Sequence, residues 1–227
     1  MPRTANPELR QVRRDAFLDV AQRLIQAEGY EAVSVQDVID ELEASRGAFY
    51  HYFDSKEALL DAVIERFTDT ALAAVEPIMA DPSLRAPRKL ERVLGRIAEL
   101  KAGNKELMVA VIRTWSLPGN ALTREKARRL AAERLGPIFA RIIRQGIEEG
   151  SLTATYPEET ARAVLAMAQG VQELAAEYFL ARQAGTVTFE ACRRTFAAFT
   201  EAFERIVGAP PGSVTLADES TLKFWFG

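Results

Sequence analysis

One cysteine, one histidine and no surplus of positive charge already exclude several kinds of protein for this 227-residue chain. Cys192 alone cannot form an internal disulfide, which fits a reducing compartment. Together with His51 it supplies no zinc ligand set, so no metal or other cofactor is expected. A formal net charge of −3 rules out coating nucleic acid by bulk positive charge, though not a small local basic face. No apolar run approaches the ~20 residues of a membrane span, and Met1 to Arg14 lacks the apolar core of a signal peptide. There is no Gly-x-Ser-x-Gly elbow, no phosphate-binding glycine loop and no second histidine, which weakens any enzymatic reading. The expectation is a cytoplasmic protein that touches no membrane and is not an enzyme.

What is present is helical periodicity. No segment alternates apolar and polar residues long enough to argue for a sheet. Phe17, Val20, Ala21, Leu24 and Ile25 share one face of a first helix, which Gly29 ends. Ser34 caps a short second helix with Val35, Val38, Ile39 and Leu42, and Asp37 completes a shortened capping box. A third starts near Ser45, anchored by Phe49 and Phe53. Asp54 or Ser55 caps a fourth with Leu59, Leu60, Val63, Ile64 and Phe67 as its stripe. Pro77, Pro82 and Pro87 then mark a turn region. Further helices are expected near 86–101, 104–116 and 121–149, the last bent at Gly136-Pro137. Two more run from Pro157 to about Ala184 and from Thr188 to about Gly208. Residues 209–227 read as an irregular tail ending in Phe224-Trp225-Phe226, an aromatic triplet expected to pack on the body.

The fold class is therefore all-α with about nine helices. A three-helix head with a helix-turn-helix occupies residues 1–54, a helical ligand-binding and dimerisation body 55–208, and a tail 209–227. Two short helices across a tight turn are the arithmetic of a helix-turn-helix. With Phe49 and Phe53 inward, the rest of the third helix faces out. Arg46 can form a bidentate pair with guanine, Gly47 lets the backbone approach, and Ala48 offers a methyl to thymine. Tyr50, His51 and Tyr52 are donors at phosphate height, although Tyr52 also suits packing on the first helix. Ser34, Ser45 and Lys56 suit phosphate. Arg3, Arg10, Arg13 and Arg14 make either a basic arm or a solvated terminus.

Residues from about Arg10 to Arg66 resemble the TetR family of bacterial regulators. The run Ser45, Arg46-Gly47, Ala48, Phe49, Tyr50, His51-Tyr52, Phe53, then Lys56-Glu57-Ala58-Leu59 carries the resemblance. It implies base contacts from Arg46, Gly47, Ala48, His51 and Gln36, and phosphate contacts from Ser34, Ser45, Tyr50, Tyr52 and Lys56. It also implies a homodimer built on the last two long helices, a small-molecule effector in the body, and a double-stranded operator as partner. The sequence departs from the pattern at the turn, where Glu43 stands in place of glycine. A non-glycine residue in the left-handed region costs roughly 1 kcal/mol, so a distorted turn is expected.

For the effector cavity, Phe67, Met108, Ile112, Trp115, Phe139, Met167 and Tyr178 are the large adaptable side chains of the body, with core filling the alternative for each. For the dimer, Val164, Ala168, Val171 and Ala175 form one stripe and Phe196, Phe199 and Phe203 another, with intramolecular core as the alternative. The functional expectation is a repressor released from a palindromic operator by a ligand. The alternatives are a helical effector-binding protein or enzyme whose helix-turn-helix is only structural, and a regulator without a small-molecule ligand.

Overall fold

A computed structural model describes residues 7–116 and 118–227, leaving aside the side chains of Pro118 and Thr123. The expected basic arm at Arg3 lies outside the described residues. Among those residues every regular element is helical: α1 (Pro7–Glu28), α2 (Val35–Glu41), α3 (Arg46–Tyr50), α4 (Lys56–Ala80), α5 (Ala86–Gly103), α6 (Lys105–Ser116), α7 (Ala121–Glu148), α8 (Pro157–Gln183), α9 (Phe189–Val207) and α10 (Glu219–Phe226). A short 3-10 turn, Pro118–Asn120, leads into α7. None of these helices is long and apolar enough to cross a membrane.

The chain forms two compact units. The first holds the described residues up to Thr70 together with Asn104–Ala127. Its core is the predicted α1 stripe of Phe17, Val20, Ala21, Leu24 and Ile25, closed by Val38 and Ile39 of α2, Phe49 of α3 and Leu59, Leu60 and Val63 of α4. Leu107 and Ala110 of α6 join the same cluster. The termini are capped as the residue types dictate. Gly29, at φ +83°, ends α1 and donates its N–H to the Ile25 carbonyl at 2.9 Å. Ser34 and Asp37 form both halves of a capping box on α2, and Ser55 caps α4 through Ala58 N–H at 3.1 Å.

Polar bonds of very long sequence separation also tie this unit. Arg66 of α4 donates to Asp19 at 2.6 Å and to Gln22 at 2.8 Å on α1. Gln22 and Gln26 each donate to the Asn104 side chain at 3.1 Å, just before α6.

The second unit holds Ala71–Gly103 and Arg128–Gly227. Val75 and Met79 of α4, Leu90 and Val93 of α5, Phe139, Ile142 and Ile143 of α7, Val164 and Leu165 of α8 and Phe203 and Val207 of α9 form its core. One expectation fails on proline. α4 runs through Pro77 to Ala80, so the turn region is only the segment 81–85. Pro77 removes one donor from the last turn of a 25-residue helix, a loss the burial of Val75 and Met79 outweighs. α7 runs through Gly136-Pro137 as one helix, close to the expected 121–149 span.

The end of the chain is not irregular. The buried Glu204 carboxylate accepts the N–H groups of Gly212 and Val214, each at 3.0 Å, and so folds the segment after α9 back on the unit. Asp218 then caps α10 through Thr221 N–H at 2.7 Å. Helix α10 buries Leu222 and Phe226. The Phe226 ring lies 5.4 Å from Phe196, and its carbonyl accepts from Arg182 Nε at 2.7 Å. Trp225 meets Phe179 edge-on at 6.3 Å. Trp225 and Phe226 therefore pack on α8 and α9, as expected, but from a helix, while Phe224 stays exposed against Trp225. Phe226→Ala should cost about 3 kcal/mol, a fall in thermal midpoint of roughly 6–12 °C for a chain of this size. An unchanged midpoint in calorimetry would show that α10 does not hold this position in solution.

Candidate nucleic-acid interface

Helix α3 is five residues long and cannot hold itself, because a first helical turn is unfavourable to nucleate. Aromatic packing holds it. Phe49 is 0% exposed, edge-on to Phe17 of α1 at 5.7 Å and tilted on Phe53 at 5.6 Å. Phe53 in turn meets Phe17 at 6.1 Å, and Arg14 lies over its other side, 5.7 Å from the ring centre. Burial of such rings contributes ~1.5–3 kcal/mol each, with aromatic geometry adding to it.

The turn before α3 resolves the glycine question. Glu43 adopts φ +49° and is the single non-glycine residue with positive φ among the described residues. The turn is not lengthened: Glu43 N–H donates to the Asp40 carbonyl at 3.1 Å and Ala44 N–H to the Ile39 carbonyl at 2.9 Å. That pair of bonds is a Schellman closure, and Ala44 packs on the cluster containing Ile39. The expected distortion is absent. The strain sits in one residue's φ instead.

Ser45 caps α3 by accepting Ala48 N–H at 3.1 Å. A hydroxyl that accepts keeps its proton, so Ser45 can still donate outward. Arg46 and Gly47 beside it are exposed, and Ala48 is half-buried against the core. Tyr50 is 52% exposed, with its ring edge on Phe49. His51, at the C-cap, is exposed. Tyr52 is half-buried and packs on Phe17 at 6.0 Å and on His51 at 5.0 Å, which is the first-helix packing considered for it.

Ser34, Gln36 and Lys56 are more committed than the sequence suggests. Ser34 N–H is not free but donates to Asp37 at 2.7 Å. That bond and the one between the Ser34 hydroxyl and Asp37 hold the Asp37 carboxyl below the usual range. The Gln36 amide donates to Asp40 at 2.6 Å, leaving its oxygen outward as an acceptor. The Lys56 ammonium lies over the Tyr30 ring at 4.1 Å. Tyr30 is buried, and burial first, then Glu57, Glu31 and Asp61, pushes its phenol upward, so it stays protonated. Ser34, Lys56 and Tyr30 line one shallow cleft, which brings the two phosphate candidates together. The role of Tyr30 as a platform for Lys56 was missed by sequence reasoning. Its only signal was an aromatic directly after the Gly29 cap.

The other predicted residues divide between the units. Phe67, Ile112 and Trp115 are half-buried in the first, and Met108 packs on its core. The Trp115 indole N–H and the Thr114 hydroxyl are buried and have no hydrogen-bond partner among the described residues. In the second unit Phe139 is core filling, Met167 packs against that core, and Tyr178 shares a hydrogen bond with Thr195 at 3.1 Å. Of the dimer stripes, Val164 and Phe203 lie inside the protomer's own core and have no surface to offer a partner. Ala168, Val171, Ala175, Phe196 and Phe199 are half-buried, and Phe196 is partly covered by α10. Among the described residues no cluster of His, Cys, Asp and Glu could hold a metal ion.

Because φ at position 43 suits glycine, Glu43→Gly should leave the turn intact and change stability by a gain of up to about 1 kcal/mol, read by urea denaturation. A loss of stability would mean that the Glu43 side chain contributes more than its backbone strain costs.

The sequence pattern of bacterial regulatory proteins of the tetR family matches residues 17–63, and that of the tetracyclin repressor-like C-terminal domain matches residues 103–179. Between them they cover more than half of the chain. The HTH-type transcriptional repressor KstR2 of Rhodococcus jostii is 35% identical over 68 residues, 30% of this chain and 33% of that protein. The HTH-type transcriptional repressor DhaR of Mycobacterium sp. strain GP1 is 27% identical over 124 residues, 55% of this chain and 62% of its own. This chain thus spans less than two thirds of the length of either relative. In fold, a TetR-family transcriptional regulator from Pectobacterium atrosepticum superposes with a TM-score of 0.60 at 20% identity, covering 76% of this chain and 86% of that one. RolR in complex with resorcinol gives 0.55 at 18% identity, covering 96% and 95%. The chain belongs to the tetR family of bacterial regulatory proteins.

Proposed function

We propose that this chain is a sequence-specific DNA-binding transcriptional repressor, working in the cytoplasm as a homodimer and released from a palindromic operator by a small-molecule ligand. The observation that carries the reading is α3: a helix too short to stand alone, fixed from beneath by Phe49, with Arg46 and Gly47 exposed at its start. Arg46, Gly47, Ala48, His51 and Gln36 are the base-reading set. Ser34, Ser45, Tyr50 and Lys56 are the phosphate set, with the Tyr52 hydroxyl beside them. Two such helices would enter successive major grooves about 34–36 Å apart.

The dimer seam in this reading uses the half-buried faces of α8 and α9, namely Ala168, Val171, Ala175 and Phe199, with Phe196 at its edge. Repression is supported by KstR2 and DhaR, which are named as repressors, and ligand binding by RolR, which was crystallised with resorcinol. The effector set in this reading is Phe67, Met108, Ile112 and Trp115, all on the first unit. A ligand shifts the operator equilibrium only by its differential affinity for the two states, and ~1–3 kcal/mol is the usual scale.

The test is selection of binding sites from random duplexes with purified protein. A motif with two half-sites one turn apart is the expected product. Arg46→Ala should then weaken binding to that motif by about 5- to 150-fold, the equivalent of ~1–3 kcal/mol, with dimerisation and fold unchanged. Equal affinity of the variant for the selected operator would overturn the assignment of α3 as the reading helix.

A further inference from the structure

Lysine is seldom buried without a carboxylate, since an ammonium withdrawn from water needs its protons satisfied. Lys89 of α5 is only 5% exposed. Its ammonium donates to the Met79 carbonyl at 2.9 Å. Met79 is in the last turn of α4, so this bond satisfies a carbonyl that the helix itself cannot. It uses one of three protons. No carboxylate lies within ion-pair distance among the described residues; Asp81 feels the Lys89 charge but bonds Ser83 instead.

Lys89 and Met79 form one side of a cleft in the second unit, with a volume of about 220 Å³. Four residues of α7 form the other: Arg141, Arg144, Gln145 and Glu148. Arg141 approaches Glu76 only to 3.9 Å, a loose pairing, whereas Arg144 is paired with Glu158. Gln145 is held by the Leu84 carbonyl at 2.9 Å and by Glu149. The cleft thus contains a buried ammonium with spare donors, a guanidinium with most of its donors unused, and one opposing carboxylate.

We infer that this cleft binds a small monocarboxylate, held between the Lys89 ammonium and the Arg141 guanidinium. The charge count selects the class. Once a ligand takes the place of the loosely held Glu76 on Arg141, two cations against Glu148 leave room for a single negative charge, and a phosphate dianion would meet Glu148 and Glu76 at close quarters. The size selects it further: drug-sized ligands occupy roughly 300–1,000 Å³, so this volume suits a group of a few heavy atoms. The planar fork of an arginine matches a carboxylate, and lysine completes it as a point charge. None of its residues belongs to the proposed DNA-reading set.

The probes are acetate and benzoate, each titrated into the intact chain against chloride at equal ionic strength, with inorganic phosphate as the comparator. A saturable rise in thermal midpoint of about 2–4 °C is expected with the carboxylates. Arg141→Gln should weaken the half-saturation at least fivefold, and Lys89→Met should abolish it. Arg141→Gln leaves the α4 cap untouched, so it decides the matter if Lys89→Met fails to fold. Absence of a saturable shift, an unchanged shift in Arg141→Gln, or tighter binding of phosphate than of carboxylate would each overturn the assignment.

Discussion

The contact between Phe49 and Phe17 is the one on which the proposed reading surface depends. Helix α3 contributes a single fully buried side chain, and it is too short for its backbone bonds to hold it. Its position is therefore that of Phe49, set edge-on against α1 and braced by Phe53. Arg46, Gly47, Ala48 and His51, the proposed base contacts of this helix, take their place from that ring. A shift in α1 or in the start of α4 would reach Arg46 by the same route, because Phe17, Leu59 and Leu60 share one cluster with Phe49. The Schellman closure at Glu43 fixes the other end of the lever by backbone bonds alone, which is why the turn needs a conformation and not a side chain.

Local chemistry made much of this legible. Helical spacing placed the α1 core, and Ser34, Ser45, Ser55 and Thr188 stood where caps were required. These features depend on neighbours three or four residues away, which a sequence displays directly. Proline misled because its local cost is fixed while its compensation is tertiary. Pro77 sits inside a helix whose burial outweighs one missing donor. The tail misled for a related reason. Its glycines and prolines gave a true turn signal, but the organiser of that turn, Glu204, lies in the last turns of α9, eight and ten residues before the N–H groups it accepts.

The site was legible in its members and not in their engagements. Gln36 and Lys56 were read as free groups and Ser34 as a cap still open to phosphate, yet Asp40, Tyr30 and Asp37 already hold part of their bonding capacity. Such pairings turn on side-chain direction, and two of the three are local enough that a capping-box and i, i+4 reading carried to its end would have found them. The polar ties from Arg66 and Asn104 to α1 could not be found that way, since they join residues 44 to 82 positions apart. The body stripes failed in another sense. Small and aromatic residues at helical spacing mark a packed face without saying which neighbour packs on it, and Val164 and Phe203 went to the protomer's own core.

Between Ser34 and Ser45 the chain carries Asp37, Asp40, Glu41 and Glu43 and no lysine or arginine. Glu41 is paired with Arg23 at 2.8 Å, which leaves Asp37, Asp40 and Glu43 as the net charge of this edge. If the next helix reads DNA as proposed, these carboxylates would oppose phosphate beside it, and the attraction that comes from released counterions would be weaker there. Contrast between one site and the rest of a genome would then rest on Arg46 and its bases more than on a general grip.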